Sequence, residues 1–328
     1  VVSVVNLREA GVEEARGVAI EPGIGNVHVY NSVDQELVEL TQSGQFVAGR
    51  DLSEFNLRTP QGMVIAPSGD QTDDAAQVSL YLADSEAGTI VEFSFVKPPE
   101  PLRFRSLMST PVPVGTSSLV QSIDTSLWTS PSPDPAGIVY LPASDHLLVS
   151  DSEVNEEIPQ TPPLPPLPPP YFTGDNLFEA TLTGVLTDTL TTITWSDEPS
   201  GVTLNPANNH LFFSDDAGAR RIYELNPGPD GLYDTVDDIV TEINTRDFAC
   251  TDPEGVSYAS TLGTLFIACG LENQIKQISP GANGIFDGVP PDGDDVATGF
   301  DTLSLGLTDP EGIAYNPDTN HLYVVGGR

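Results

Sequence analysis

Two stretches of the 328-residue chain carry oxygen ligands at spacings that could wrap a cation. NPGPDGLYDTVDDIV (226–240) and SPGANGIFDGVPPDGDDVA (279–297) align as Pro-Gly-x-Asp/Asn-Gly-apolar-aromatic-Asp, then Val, then Asp-Asp-apolar, with four residues inserted in the second. Carboxylates three or four residues apart, with glycines allowing sharp turns, form the hard-oxygen set that suits Ca²⁺. The candidate ligands are Asp230, Asp234, Asp237 and Asp238 in the first loop, and Asn283, Asp287, Asp292, Asp294 and Asp295 in the second. Neither loop has EF-hand spacing or its terminal Glu. The alternative is a pair of acidic Asx turns that hold no ion.

A second carboxylate set, Asp134, Asp197, Glu198, Asp252, Glu254, Asp309 and Glu311, precedes Gly-opened apolar runs, as in TDPEGVSY and TDPEGIAY. Glu254 and Glu311 stand immediately before such a glycine. Two carboxylates in one low-dielectric funnel repel unless protonated or neutralised by a cation, so they are candidates for an axial metal and, in an enzyme, for catalysis. Solvated Pro-containing turns are the alternative. The four histidines are read as one structural repeat position, since His28, His146, His210 and His321 each stand just before an apolar run, as in NNHLFF and TNHLYV. No G-x-S-x-G elbow, H-E-x-x-H pair or Gly-rich phosphate loop occurs. Asp84, Asp151 and Asp215 end apolar runs and are expected to cap the turns that follow. Cys250 and Cys269 are expected at neighbouring ends of one hairpin, where a disulfide is geometrically possible and would fit an oxidising compartment.

These residues need a scaffold, and internal repetition supplies it. One unit recurs six times: a Gly opening a short strand, a Pro-centred or polar turn, then a second strand often ending in Asp. The units start near Gly17, Gly62, Gly137, Gly201, Gly255 and Gly312. Segments such as RRIYELN (220–226) and DIVTEINTRD (238–247) extend each unit to about four antiparallel strands. The expected fold is therefore all-β, a six-bladed β-propeller of four-stranded antiparallel blades occupying residues 1–328 as one domain. Only 16 residues follow Gly312 and 16 precede Gly17, so VVSVVNL is expected to close the last blade from the N-terminus as its outermost strand. A third strand for that blade is missing. Either the natural chain continues past Arg328 or a partner strand fills the gap, which would permit head-to-tail assembly. The prolines of IPQTPPLPPLPPPYF (158–172) cannot donate ladder hydrogen bonds, so this insertion is expected as a polyproline-II arm, a stiff loop or a docking ligand.

Composition narrows the partners. Twelve Lys and Arg against 48 Asp and Glu leave a formal charge of −36, which disfavours nucleic acid and anionic membranes. No apolar run of about 18 residues exists, so no membrane insertion is expected. An acidic surface with only two lysines suits an extracellular or cell-surface protein.

The hairpins EPSGVTLNPANNHLFFSDDAGARRIYELNP and TDPEGIAYNPDTNHLYVV resemble the six-bladed propellers of the NHL, SMP-30/gluconolactonase and SdiA-regulated-like group. The resemblance implies that Glu254 and Glu311 match a Glu which, in the lactonase members, holds a calcium at the tunnel floor. The other pre-glycine positions hold Arg16, Gln61, Ala136 and Ser200, where the family's Asn ligands have no counterpart. The leading functional reading is a secreted or cell-surface, calcium-stabilised propeller that binds a protein or glycan partner. The alternative is a calcium-dependent hydrolase of lactone, ester or phosphoester type using Glu254 and Glu311.

Overall fold

A computed structural model describes residue 7 and residues 12–96, 116–154, 173–196, 198–215 and 220–326. Five four-stranded antiparallel sheets follow one another along the chain. Blade one is β1 (Ala15–Ile20), β2 (Val27–Asn31), β3 (Glu36–Leu40) and β4 (Phe46–Asp51). Blade two is β5 (Pro60–Pro67), β6 (Val78–Asp84), β7 (Thr89–Val96) and β8 (Thr116–Asp124). Blade three is β9 (Pro135–Leu141), β10 (His146–Asp151), β11 (Leu177–Thr181) and β12 (Leu186–Leu190). Blade four is β13 (Pro199–Asn205), β14 (His210–Asp215), β15 (Arg221–Asn226) and β16 (Ile239–Asn244). Blade five is β17 (Pro253–Ala259), β18 (Thr264–Cys269), β19 (Gln274–Ser279) and β20 (Val296–Asp301). The sixth unit, β21 (Pro310–Asn316) and β22 (His321–Gly326), is a two-stranded sheet among the described residues. The all-β propeller architecture therefore stands, with five complete blades where six were expected. Of the segment expected to close the ring, Val1–Leu7, only Leu7 is among the described residues, and the Pro-rich insertion 158–172 lies outside them.

The glycine that opens each repeat has a steric reason. It is the third residue of every inner strand, and a Cβ there would meet the backbone carbonyl of the residue before the next blade's glycine. Gly62 would meet the Ala136 oxygen at 2.4 Å, Gly137 that of Ser200 at 2.5 Å, and Gly255 that of Glu311 at 2.3 Å. Gly201 faces the Glu254 oxygen at 3.0 Å, Gly17 that of Gln61 at 3.3 Å, and Gly312 returns to Arg16 at 3.0 Å. Six inner strands thus touch in a closed circuit, and at Gly62, Gly137 and Gly255 the neighbouring carbonyl leaves no room for a Cβ.

The core lies in layers between blades. Phe212, Ile222 and Ile243 of blade four pack on Val256, Leu265, Ile267 and Ile278 of blade five, with Phe286 edge-on to Phe212 at 5.1 Å between centroids. In the five complete blades the second strands are almost wholly buried, whereas the outermost strands β16 and β20 are largely exposed. This gradient is what a radial sheet predicts, because only its inner strands have neighbours on both faces.

Each second strand ends opposite the first residue of its inner strand, at Asn31, Asp84, Asp151, Asp215, Cys269 or Gly326. The expectation that the Asp residues cap the following turn is half the story. Asp84 accepts from the N–H groups of Arg58 and Thr59, both at 2.8 Å, tying down the loop that leads into its own blade. Asp151 does both, accepting from Ser132 Oγ (2.6 Å) and the Asp134 N–H (2.9 Å) as well as from the N–H groups of Glu153 and Val154. In blade five Cys250 and Cys269 occupy these tie positions and form a disulfide, with Cα atoms 5.4 Å apart.

Candidate metal loops and the axial face

The two aspartate loops fold differently although they align. In the first, the Thr235 hydroxyl donates to Asp237 Oδ1 at 2.7 Å and to Asp238 Oδ1 at 3.2 Å, and its N–H donates to Asp238 Oδ2 at 3.2 Å. Asp230 Oδ1 accepts from the Leu232 N–H at 2.9 Å. The Thr235 hydrogen bond holds the Asp237 carboxyl below its usual range, while partial desolvation and the neighbouring Asp175, Asp238 and Asp188 raise that of Asp234. These carboxylates act as turn acceptors, and the first loop gathers no three of them within 4.8 Å of one another among the described residues.

In the second loop the residue aligned with Thr235 is Gly288, which has no hydroxyl to offer. Its N–H donates to Asp295 Oδ2 at 2.9 Å, and Asp295 Oδ1 is left buried with no hydrogen-bond partner. Carboxylate oxygens of Asp287, Asp294 and Asp295 come within 4.8 Å of one another. Asp295 is 2 % exposed, and burial, with Asp287 and Asp294 beside it, pushes its carboxyl up to about 6. Gly281 and Gly293 permit the clustering, since a Cβ at either would lie about 2 Å from the carboxylate of Asp294 or Asp287. A buried carboxylate oxygen without a donor is costly, and a hard cation would compensate it. Of the other expected ligands, Asn283 donates through Nδ2 to Asp287 Oδ2 at 2.7 Å, and Asp292 is not in the cluster. Asp295 also lines a groove of about 520 Å³ with Asp247, Phe248, Lys276 and Val289, at the outer part of blades four and five.

On the axial side the residues before the six glycines are Arg16, Gln61, Ala136, Ser200, Glu254 and Glu311. The cation that reaches Glu311 is the protein's own: Arg16 Nη1 lies 3.1 Å from its Oε2, and Arg16 Nη2 lies 2.6 Å from Glu14. Burial opposes the charge on Arg16, but Glu311 and Glu14 outweigh it and hold the guanidinium pKa above its usual value. Glu254 lies beside Gly270, where Asp252 and Asp309 also converge, and Asp252 is paired with Arg220 at 2.8 Å. Asp197 lies outside the described residues.

The histidines do not share one position. His146, His210 and His321 begin β10, β14 and β22, but His28 is the second residue of β2. Register puts Asn26 where blades three and four and the sixth unit have histidine, because Glu21 pairs with Asn26 just beyond the Ile20–Val27 pair, as Leu141 pairs with His146 beyond Tyr140–Leu147. This repeat position faces a third-strand acceptor. His146 Nδ1 is 2.6 Å from Glu179, His210 Nδ1 is 2.6 Å from Glu224, and Asn26 Nδ2 donates to Glu39 at 2.6 Å. The displaced His28 forms a buried group with Glu21 and Glu39 that sequence reasoning missed, and Arg50 occupies the remaining oxygen of Glu39 at 2.6 Å.

No family model and no curated protein sequence matches the chain. Its likenesses are to solved structures. A luciferin-regenerating enzyme superposes with a TM-score of 0.60 at 10% identity, covering 96% of this chain and 84% of that one. A gluconolactonase from Xanthomonas campestris gives 0.56 at 12% identity, covering 96% and 84%. A chain of a nidogen/laminin complex gives 0.54 at 14% identity, covering 92% and 84%. At such identities the likeness is one of fold, the β-propeller, which hosts enzymes and binding modules alike.

Proposed function

We propose that the chain is a calcium-stabilised β-propeller of six radial units, secreted or displayed on a cell surface, that acts by binding a protein or glycan partner. The observation that carries the calcium reading is the buried, unpartnered Oδ1 of Asp295 beside the carboxylates of Asp287 and Asp294. These three residues would hold the ion, with the neighbouring loop backbone and water completing its shell. The disulfide and the acidic, Lys-poor surface support an oxidising, extracellular setting. Exposed Ile239 and Val240 on β16 and Val296 and Phe300 on β20 support a partner-binding role for the outer edge.

The sixth unit is read as closed from the N-terminus. In blades one, four and five the last residue of the fourth strand precedes the next inner strand by nine residues, as Asp51 precedes Pro60, Asn244 precedes Pro253 and Asp301 precedes Pro310. Counting back nine from Ala15 reaches Asn6. The Val12 N–H donates to the Leu7 oxygen at 3.0 Å, as Cys250 does to Thr245 and Leu307 to Thr302, so Leu7 matches the residues that follow the fourth strands of blades four and five.

The competing reading, a calcium-dependent hydrolase built on Glu254 and Glu311, has to share its axial site with Arg16. Calcium at about one hundred times its dissociation constant should add about 2.7 kcal/mol of stability, and a chelator should remove it. Asp295→Asn should abolish that difference while leaving the chelated protein folded. A melt unchanged by the chelator would overturn the calcium reading. Lactone or ester turnover that Glu254→Gln/Glu311→Gln abolishes would favour the hydrolase.

A further inference from the structure

Each complete blade carries a Glu or Gln in its third strand, and in four of them it fixes a common register: Glu39, Glu179, Glu224 and Gln277 each meet the residue that starts the second-strand repeat. The residue just before this Glu or Gln is Val38, Val91, Phe178 and Tyr223 in blades one to four, and each of these is at most 5 % exposed. In blade five the same position holds Lys276. Its cross-strand neighbour on β18, Ile267, belongs to the core between blades four and five, so a lysine stands where the repeat calls for a core side chain. Lys276 is half-buried, and no hydrogen bond or ion pair holds its ammonium among the described residues. Burial lowers the pKa of that ammonium, and Glu272 opposes the shift. In a chain with 48 carboxylates, a half-buried cation without an ion-pair partner is a folding cost that packing does not offset, and such local violations mark functional positions.

Lys276 lies in the groove of about 520 Å³ between the outer parts of blades four and five. Its partner across the ladder on β20 is Gly299, where a Cβ would lie 3.1 Å from Lys276 Cδ, so the missing side chain leaves space for the lysine stem. One wall of the groove is Asp247 and Phe248, from the short helical turn Thr245–Phe248 after β16. The other is Val289 and Pro290, on the second aspartate loop. That wall is pinned by Asp295, whose N–H donates to the Gly288 oxygen and whose Oδ2 accepts from the Gly288 N–H, both at 2.9 Å, closing the base of residues 289–294. Lys276 and Asp247 line one space without forming an ion pair, which leaves a donor and an acceptor for a third party. We propose that this groove binds a neutral saccharide, with Lys276 donating to one ring hydroxyl, Asp247 accepting from another, and the aspartate loop walling in the ring. A hydroxyl both donates and accepts, so one sugar ring answers an ammonium and a carboxylate without bringing a charge of its own. An anionic ligand would meet Asp247, Asp295 and a chain of charge −36, and a cationic one would meet Lys276. The volume lies within the range of about 300–1,000 Å³ usual for small-ligand sites, and Val289 and Pro290 offer surface to the apolar side of a ring. A peptide is disfavoured because Lys276 belongs to β19, one strand in from the edge: a strand added to β20 would extend the sheet and leave the face that carries Lys276 uncovered.

The inference deepens the binding-module reading by naming the ligand class, and only its calcium dependence rests on the calcium reading. The probes are the methyl glycosides of glucose, galactose and mannose, titrated into the intact chain with calcium and with chelator and followed by backbone amide chemical shifts. At least one should shift Asp247, Lys276 and Thr298 saturably, with a dissociation constant on the order of 1 mM, whereas cyclohexanol, a ring with a single hydroxyl, should not. Lys276→Met keeps the apolar stem and removes the donor. It should weaken binding about tenfold while leaving the urea midpoint unchanged or higher, because the position is apolar in the other four blades. A lysine with a merely structural role would lower the midpoint instead. Asp247→Ala, at an exposed position, should weaken binding likewise. Chelator should also weaken it, by releasing the loop wall. Saturation by none of the sugars, equal affinity of Lys276→Met, or shifts produced by unmodified peptides and not by sugars would each overturn the proposal. Sugar binding and a melt that both ignore the chelator would sink the calcium reading alone, and a calcium-dependent melt without sugar binding would sink this inference alone.

Discussion

In blade three the residue three places before the inner strand is Ser132 and the last residue of the second strand is Asp151, joined by a 2.6 Å hydrogen bond. In blade five the same two repeat positions are Cys250 and Cys269, joined covalently. The sequence separation is 19 residues in both. What is shared is the mechanical task of holding the lead-in loop against the inner hairpin, so that the glycine two residues into the strand meets the neighbouring blade's carbonyl. What differs is the cost. Asp151 must be buried as a carboxyl and satisfied by four donors, while the disulfide needs no acceptor. In blade five Asp252 takes over part of the polar work, accepting from the Leu271 N–H at 3.2 Å.

The largest effect should come from cutting the covalent tie. The double variant Cys250→Ala/Cys269→Ala frees a loop of about 20 residues in the unfolded chain and should cost about 3 kcal/mol, read as a lower urea midpoint with a steeper slope, because the denatured chain without the cross-link exposes more surface. A loss near zero would mean that Asp252 and its neighbours hold the loop unaided. The intermediate effect comes from moving blade three's chemistry into blade five. Cys250→Ser/Cys269→Asp should recover about 1 kcal/mol relative to the alanine pair, the typical worth of a hydrogen bond. If the Ser/Asp pair is instead less stable than the alanine pair, the carboxylates of Asp252 and Asp309, both 3.0 Å from a Cβ placed on Gly270, forbid a further charge there.

The repeat hairpins were legible in the sequence because the backbone dictates particular positions: in all six the glycine under a carbonyl, and in several the strand-end residue, such as Asp84, Asp151 or Cys269, that ties the lead-in loop. The disulfide was legible for the same reason, as a substitution at a tie position. His28 was misread because it repeats a residue type and not a register. Gly17 to His28 spans 11 residues, whereas Gly137 to His146, Gly201 to His210 and Gly312 to His321 each span nine. The third-strand Glu/Gln stayed hidden because its meaning lies in a cross-strand partner 13 to 33 residues away. The aspartate loops show the sharper limit. Aligned carboxylates suggested equal sites, yet the hydroxyl of Thr235 takes up the oxygens of Asp237 and Asp238, and the absence of one at Gly288 leaves Asp295 Oδ1 unpartnered. A pattern of ligand types cannot reveal which competing donors will claim them. Arg16 carries the same lesson: at the start of the chain it looked like a departure from a ligand ring, and only closure of the circuit brings it to Glu311, 295 residues away.

The smallest effect separates the two ties by pH. Burial raises the Asp151 carboxyl pKa above its usual value, although its hydrogen bonds from Ser132, Asp134, Glu153 and Val154 pull the other way. A raised pKa means that the folded chain holds this proton more tightly than the unfolded chain. The stability it contributes is then complete below the ordinary Asp value and is lost as pH rises through the raised one. The disulfide has no such titration. Asp151→Asn keeps one acceptor oxygen and removes the ionisation. The unfolding free energy of the parent minus that of the variant should therefore fall between about pH 4 and about pH 7. The same difference taken for the alanine pair at Cys250 and Cys269 should stay level. Urea midpoints at the two pH values measure both. A difference for Asp151→Asn that grows with pH would mean that the four hydrogen bonds outweigh burial, and that the carboxylate tie of blade three strengthens on ionisation.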